Sequence, residues 1–438
     1  MKPDFNYAIY EKLVNDEDAR ACKAIPESAC KVVPGNFVKI VYSQFFTKLG
    51  DALINPKVTL PWIMQSIGAP LFLIGWLVPI REAGSLVPQL AIAHYIRHLP
   101  VRKWVWVIGS LLQALCVVAI GVIALNLHGV IAGWLVIAVL TVFSLSRGLN
   151  SVAAKDVLGK TVPKNQRGRA NGWSSSAAGL VTIGLAVLLA TSDLWHWQQS
   201  EGFYAISLML AGLVWLVAAL IYAQINESRG EVDGARNGLS EAFKQLALIK
   251  TDTVFRRFLI TRTLFLSTAL SAPYYLLLAQ KNEGSALWVL ALFMFASGLA
   301  SFVAGPFWGA MADRSSRSVM MLGASMCAVF GIALFVCDQW LSTWDYYSSL
   351  VAVLYFFVCI AHDGVRVGRK TYLVDIAEGD KRTRYVAVSN TVIGVMLLIM
   401  SLLGLLTQWM SISSLVLLLS VIVLGGVWMA RQLPNVNA

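Results

Sequence analysis

Long apolar stretches recur along the chain, separated by short polar interruptions. They fall at about 37–63, 69–96, 103–125, 129–156, 169–191, 203–225, 254–280, 285–311, 318–337, 346–372, 384–408 and 411–430. A bilayer is crossed by ~20 consecutive, largely apolar residues in a helix, so the pattern predicts twelve transmembrane helices. The last segment, SISSLVLLLSVIVLGGVWMA, carries no charge at all. Several others are longer than a bilayer needs, which predicts tilt or projection beyond it.

Composition agrees with that solvent. Of 438 residues, 57% are hydrophobic and only 13% charged, with a mean hydropathy of +0.67; a soluble domain carries roughly a quarter charged residues. Fifteen Trp and thirteen Tyr suit the two membrane–water boundaries. The first apolar segment is too long and too polar-striped for a cleaved leader. The six cysteines, Cys22, Cys30, Cys116, Cys327, Cys337 and Cys359, form no C-x-x-C pair, so neither a disulfide framework nor a metal site is expected.

The net charge of +11 points to orientation rather than to nucleic acid. With the N-terminus inside, basic residues cluster in 1–36, 97–103, 160–169, 229–257, 314–317, 381–384 and at Arg431. The opposite loops hold Lys281 against Asp193, Glu201, Glu283, Asp338 and Asp345. The positive-inside rule then places both termini in the cytoplasm of a bacterial-type inner membrane.

The polar stretch 226–253 reads as a linker, with Leu239–Ile249 as a candidate surface helix. It divides the chain into a cytoplasmic segment 1–36, a six-helix bundle 37–225, the linker, a second bundle 254–430 and a tail 431–438. An internal repeat supports the division. Residues 147–179 align with 362–394 at an offset of 215, placing Lys155 on Lys370, Arg167 and Arg169 on Arg382 and Arg384, Ser174 on Ser389, and Gly179 on Gly394. Duplicated halves around a central site are a transporter architecture.

The segment Gly309-Ala-Met-Ala-Asp313-Arg314-Ser-Ser-Arg317 resembles the G-x-x-x-D-R-x-G-R loop of the major facilitator superfamily, with Ser316 in place of the second glycine. Arg147-Gly148, about twenty residues before Arg167, resembles that family's fourth-helix arginine motif. The resemblance implies an all-α membrane protein of two pseudo-symmetric six-helix bundles, working by rocker-switch alternating access. It implies gating by Asp313, Arg314 and Arg317 and proton coupling. The matching loop of the first half, from His94 to Lys103, keeps only the basic end. The fifth helix lacks the glycine–proline motif common in drug/proton antiporters, which argues against drug efflux.

Ionisable groups at bilayer depth are costly and normally face a bundle interior or a water-filled cavity. In the first helix Gln44, Lys48, Asp51 and Asn55 recur at helical spacing and share a face. Asn55-Pro56 is expected to break the helix, and Pro61 to break it again. Lys48 and Asp51 read either as a structural ion pair or as a site where Asp51 exchanges a proton. Arg81 and Glu82 lie side by side in the second helix and point ~100° apart; Arg81 seeks Asp51 or another helix, or binds substrate. Pro79 and Pro88 permit bending there. The fourth helix carries Ser144, Arg147, Ser151 and Lys155, and the tenth carries His362, Asp363, Arg366, Arg369 and Lys370. Lys155, Arg369 and Lys370 lie near the cytoplasmic boundary, where long side chains snorkel. Arg262 precedes Ser271-Ala-Pro273-Tyr274-Tyr275 in the seventh helix.

Basic residues outnumber acidic ones within these helices, and guanidinium forks suit carboxylate or phosphate. The expected substrate is a small organic anion or zwitterion. Arg81, Arg147, Arg262, Arg366, Gln44, Lys48, Asn55, Tyr274 and Tyr275 are the candidate binding residues, and Asp51, Glu82 and Asp363 the candidate proton carriers. Lipophilic-cation efflux and phospholipid flipping are the alternative activities. A membrane-embedded enzyme is disfavoured: no H-E-x-x-H, G-x-S-x-G or P-loop occurs, and His94 and His98 lack a third ligand. The expectation is therefore a monomeric secondary transporter driven by protons, with no cofactor and no metal.

Overall fold

The computed structural model describes residues 32–162, 167–191, 201–229, 247–283, 286–312, 314–376 and 381–435. Twelve membrane segments follow in order. Segment α1 comprises Val33–Leu53 and Thr59–Ser66, and α2 comprises Leu71–Ile74, Leu77–Leu86 and Gln89–Arg97. Then come α3 (Lys103–Asn126), α4 (Gly129–Thr161), α5 (Arg167–Ala190) and α6 (Glu201–Ala223). Segment α7 is Thr253–Leu264, Ser267–Leu270 and Ala272–Glu283. The rest are α8 (Leu287–Ala312), α9 (Ser316–Leu341), α10 (Tyr347–Asp375), α11 (Lys381–Met400, prolonged by a 3-10 stretch Ser401–Gln408) and α12 (Ile412–Arg431). Among the described residues α3, α4 and α8 to α12 are long and apolar enough to cross a membrane. Of the expected surface helix only the turn Leu248–Thr251 is described; 239–246 lie outside the described residues.

The breaks have local causes. Pro56 has no N–H to donate, and the freed chain turns on Asn55, whose Oδ1 accepts from the Lys57 N–H at 2.8 Å. Pro61 does not break the helix again, because it lies in the first turn of Thr59–Ser66, where N–H groups have no intrahelical partner. Pro79 sits in the first turn of Leu77–Leu86 for the same reason, and Pro88 begins the last piece of α2. Segment α7, expected as one helix, is interrupted at Phe265–Leu266 and at Ser271. Thr261, Thr263, Thr268 and Ser271 each bond back to a carbonyl three or four residues earlier, which bends helices. Pro273 adds a missing donor.

Helices α3, α4 and α6 pack together with α1 and α2, and α8, α9 and α10 pack together with α12. The two groups meet where α5 lies on α8 and α2 on α11. At one end the contact is tight: Gly75 of α2 and Gly404 of α11 touch backbone to backbone. A Cβ on Gly75 would lie 2.7 Å from the Tyr274 Oη and 3.0 Å from the Gly404 Cα. The α1 piece Thr59–Ser66 packs on the α7 piece Ala272–Glu283 at the same end. No comparable packing joins α4 to α10, whose basic ends carry the exposed Lys155 and Lys370. Apolar side chains such as Ile131, Leu180, Leu220 and Trp428 point outward, a surface suited to lipid.

Candidate functional site

Asp51 is the centre of the first bundle's polar interior. Its Oδ1 accepts from Arg81 Nη2 at 2.6 Å and from Arg147 Nη1 at 2.5 Å, joining α1, α2 and α4. Lys48 stays within electrostatic range of Asp51, but it donates to Ser174 Oγ of α5 at 2.7 Å. The i, i+3 neighbours therefore reach different helices.

The two arginines differ in access. The Arg81 side chain is 4% exposed, lies 4.7 Å over the Phe143 ring and donates to the Ile54 carbonyl at 3.2 Å. It stands behind Asp51. The Arg147 side chain is 34% exposed and faces a cavity of about 380 Å³. Gln44, Lys48, Asp51, Arg147, Asn150 and Lys155 are among its lining residues. Asn55 lies outside this cavity, at the turn it stabilises.

The second bundle repeats part of this arrangement. Arg262 of α7 is buried and hydrogen-bonds to Ser389 Oγ of α11, with Asn390 Oδ1 at 3.3 Å. Asn390 Nδ2 reaches Gln89 Oε1 of α2 at 3.4 Å, carrying the chain of polar contacts into the first bundle. His362 Nδ1 lies 2.9 Å from Thr268 Oγ1. Arg366 pairs with Asp363 at 2.9 Å one helical turn away, its side chain half exposed. Tyr274 seals the Gly75–Gly404 contact, and Tyr275 is fully buried with its hydroxyl unpaired. Neither tyrosine is an open cavity wall.

Charge is unevenly satisfied between the bundles. Glu82 is exposed, and its carboxylate makes no hydrogen bond or ion pair among the described residues. It lies within electrostatic range of Arg81 and Arg147 on its own side and of Lys57, Arg369 and Lys370. The side chains of Lys57, Lys155, Arg369 and Lys370 likewise have no polar partner among the described residues. One unpaired carboxylate thus lies within electrostatic range of three cations that have no polar partner among the described residues.

The basic end of each bundle is tied to itself. Glu227, just past α6, accepts from the backbone N–H of Arg102 and Lys103 at 2.9 and 2.7 Å and from Lys160 at 3.1 Å. A carboxylate there complements the N-terminal partial charge of α3. Arg102 also pairs with Asp156, and Lys103 Nζ bonds to the Ala223 and Ile225 carbonyls. In the second bundle Ser316 donates to Asp375 at 2.9 Å and Arg317 to the Leu433 carbonyl at 2.6 Å. Arg314 is exposed, and Asp313 lies outside the described residues. Glu227 escaped the sequence reading because it fell in the linker. Its signal is an acid just past the end of α6, level with Arg102 and Lys103.

The sequence profile of the Major Facilitator Superfamily matches residues 40–305. The chain belongs to this superfamily. Among solved superfamily-like structures, it superposes on a D-xylose–proton symporter with a TM-score of 0.69 at 14% identity, covering 91% of this chain and 98% of that one. For the nucleoside transporter NupG the TM-score is 0.66 at 10% identity, over 91% and 99% of the two chains. A POT family transporter in complex with 5-aminolevulinic acid gives 0.66 at 11%, over 90% and 94%. At these identities the fold is what is shared. In sequence, the chain is 22% identical over 205 residues to an uncharacterized protein of Mycobacterium tuberculosis (strain ATCC 25618 / H37Rv). That match covers 45% of this chain and 39% of the relative. As a Major Facilitator Superfamily member the protein is a multi-pass membrane protein.

Proposed function

We propose that this transporter moves a small organic anion, or a zwitterion with a prominent acidic group, by proton-coupled rocker-switch alternating access. The observation that supports it is the unpaired charge: Lys155 on α4 and Arg369 and Lys370 on α10, with the exposed acid Glu82 within electrostatic range of the latter two. Cations on opposing walls repel as the walls approach, and an anion placed between them removes that cost. A ligand shifts the equilibrium only through such differential interaction with the two states. Bound anion therefore favours closure of the basic end, which is cytoplasmic under the positive-inside rule.

In this mechanism Arg147 is the first contact of the substrate. One of its nitrogens holds Asp51, and the rest of the fork faces the cavity. Arg366 contributes from α10. Asp51 is the fixed counter-charge of Arg81 and Arg147, its oxygen committed to two guanidinium hydrogen bonds. Glu82, with no such commitment, is the better proton carrier, and Asp363 is held by Arg366. Protonated Glu82 leaves the cations to the substrate; ionised Glu82 replaces the substrate after release. Gln44 and Lys48 complete the first-bundle wall.

The test is uptake of a radiolabelled carboxylate and phosphate panel into proteoliposomes under an imposed pH gradient. Accumulation of an anion that collapses with a protonophore supports the proposal. Accumulation of neutral sugars or lipophilic cations alone rejects it.

A further inference from the structure

A second cavity lies away from the polar interior. It is an apolar groove between α7 and α11, of about 490 Å³, whose lining includes Leu259, Ile260, Leu264, Val392, Val395 and Met396. Ile260 and Val395 are exposed, so the groove opens onto the outer surface that lipid covers. It shares no lining residue with the cavity beside Asp51. Arg256 lines one end of it.

That end is strongly basic. Lys250, Arg256 and Arg257 are all exposed, and none makes a side-chain hydrogen bond or ion pair among the described residues. The acid close by in sequence, Asp252, is already engaged: it accepts from the Phe255 N–H at 2.9 Å and from the Tyr385 hydroxyl. Thr263 and Thr391 also line the groove, and Thr263 spends its hydroxyl on the Leu259 carbonyl. The groove is thus apolar along its length and cationic at the helix terminus, where a membrane changes from hydrocarbon to headgroups.

We propose that the α7–α11 groove is a binding site for one anionic phospholipid of the cytoplasmic leaflet. An acyl chain lies along Leu259, Ile260, Val392 and Val395, and the phosphate is held by Arg256 with Arg257 and Lys250 at the rim. Basic pockets between membrane helices on the cytoplasmic side select anionic headgroups in this way. An acyl chain matches the apolar lining of the groove, whereas a free phosphate has no use for it. Because the groove lines the same α11 that carries Ser389, Asn390 and Gly394 against α7 and α2, the lipid sits beside a contact that moves when the bundles rock.

The test is native mass spectrometry of the full chain, released from nanodiscs of equimolar phosphatidylglycerol and phosphatidylcholine. The expected result is preferential retention of one phosphatidylglycerol, reduced about fivefold for each arginine removed in Arg256→Gln and Arg257→Gln. Arg431→Gln, the same charge change at the end of α12, is expected to retain the lipid. Ile260→Trp, which fills the groove and keeps every charge, is expected to abolish retention and covers the case in which the arginine variants do not fold. Equal retention of the two lipids, or undiminished phosphatidylglycerol on Ile260→Trp, overturns the proposal. Phosphatidylglycerol carried across vesicle membranes by the wild type would make the lipid cargo and would also overturn it. The outcome is independent of anion uptake, so failure here leaves the transport proposal standing.

Discussion

Lys48 of α1 donates a 2.7 Å hydrogen bond to Ser174 of α5. Arg262 of α7 does the same to Ser389 of α11. The serines are the repeat-related pair, and the two cations lie 214 residues apart, close to the repeat offset. Each bundle therefore fastens its first helix to its fifth by a cation and a hydroxyl at equivalent places. The duplication survives as an interaction although few residues are identical.

Removing the Asp51 carboxylate leaves Arg81 almost sealed from solvent without its counter-charge. Asp51→Asn is expected to lower stability by about 3 kcal/mol, read as a fall in apparent Tm in detergent. Adding Arg81→Met should recover part of the loss, because the buried charge goes with its partner. An additive double variant would contradict the pairing.

Glu82→Gln is expected to abolish uptake driven by a pH gradient and to spare substrate exchange at equal pH. The same substitution at Asp363 should leave the proton-driven component in place. Normal accumulation in Glu82→Gln would move the proton to another group.

At the opposite end, any side chain on Gly75 meets the Tyr274 hydroxyl and the Gly404 backbone. Gly75→Val is expected to hold the α2–α11 contact open and bias the protein away from the conformation described here. Spin-label distances between Thr59–Ser66 and Ala272–Glu283 should lengthen. Unchanged distances would show that the contact is not a gate.

Glu227→Ala removes the acceptor of two backbone N–H groups at the start of α3 and one of the two carboxylate partners of Lys160. The expected loss is about 2 kcal/mol, with a smaller loss for Glu227→Gln, which keeps one oxygen acceptor. Thermal unfolding in detergent reads both.

Much of the fold was legible because lipid imposes a simple rule: a run of apolar residues long enough to span is a helix. The break at Asn55-Pro56 could be read for an equally local reason, since proline removes a donor. The interruptions of α7 could not, because they arise from several back-bonding hydroxyls acting with Pro273, none decisive alone. For Arg81 the sequence leaves Asp51, another helix and substrate open, and the packing of α1 on α2 is what joins it to Asp51. Arg147 as the second donor to the same oxygen depended on how α4 packs on α2. How the two bundles dock decides which charges approach across them, so the nearness of Glu82 to Arg369 and Lys370 leaves no trace in spacing. Tyr274 is a candidate substrate contact only as one of several membrane aromatics; the close approach of Gly75 and Gly404, far apart in sequence, is what sets its hydroxyl against their contact.

The most direct measurement is a thermal-shift screen of the detergent-purified protein against carboxylates, phosphates, zwitterions, sugars, lipophilic cations and lysophospholipids. A ligand that binds the folded state must raise its apparent stability. The expected result is a rise in Tm with a carboxylate or phosphate compound that vanishes in Arg147→Gln and weakens in Arg366→Gln. Stabilisation by lipophilic cations alone, unchanged in Arg147→Gln, would contradict an anion site between these walls.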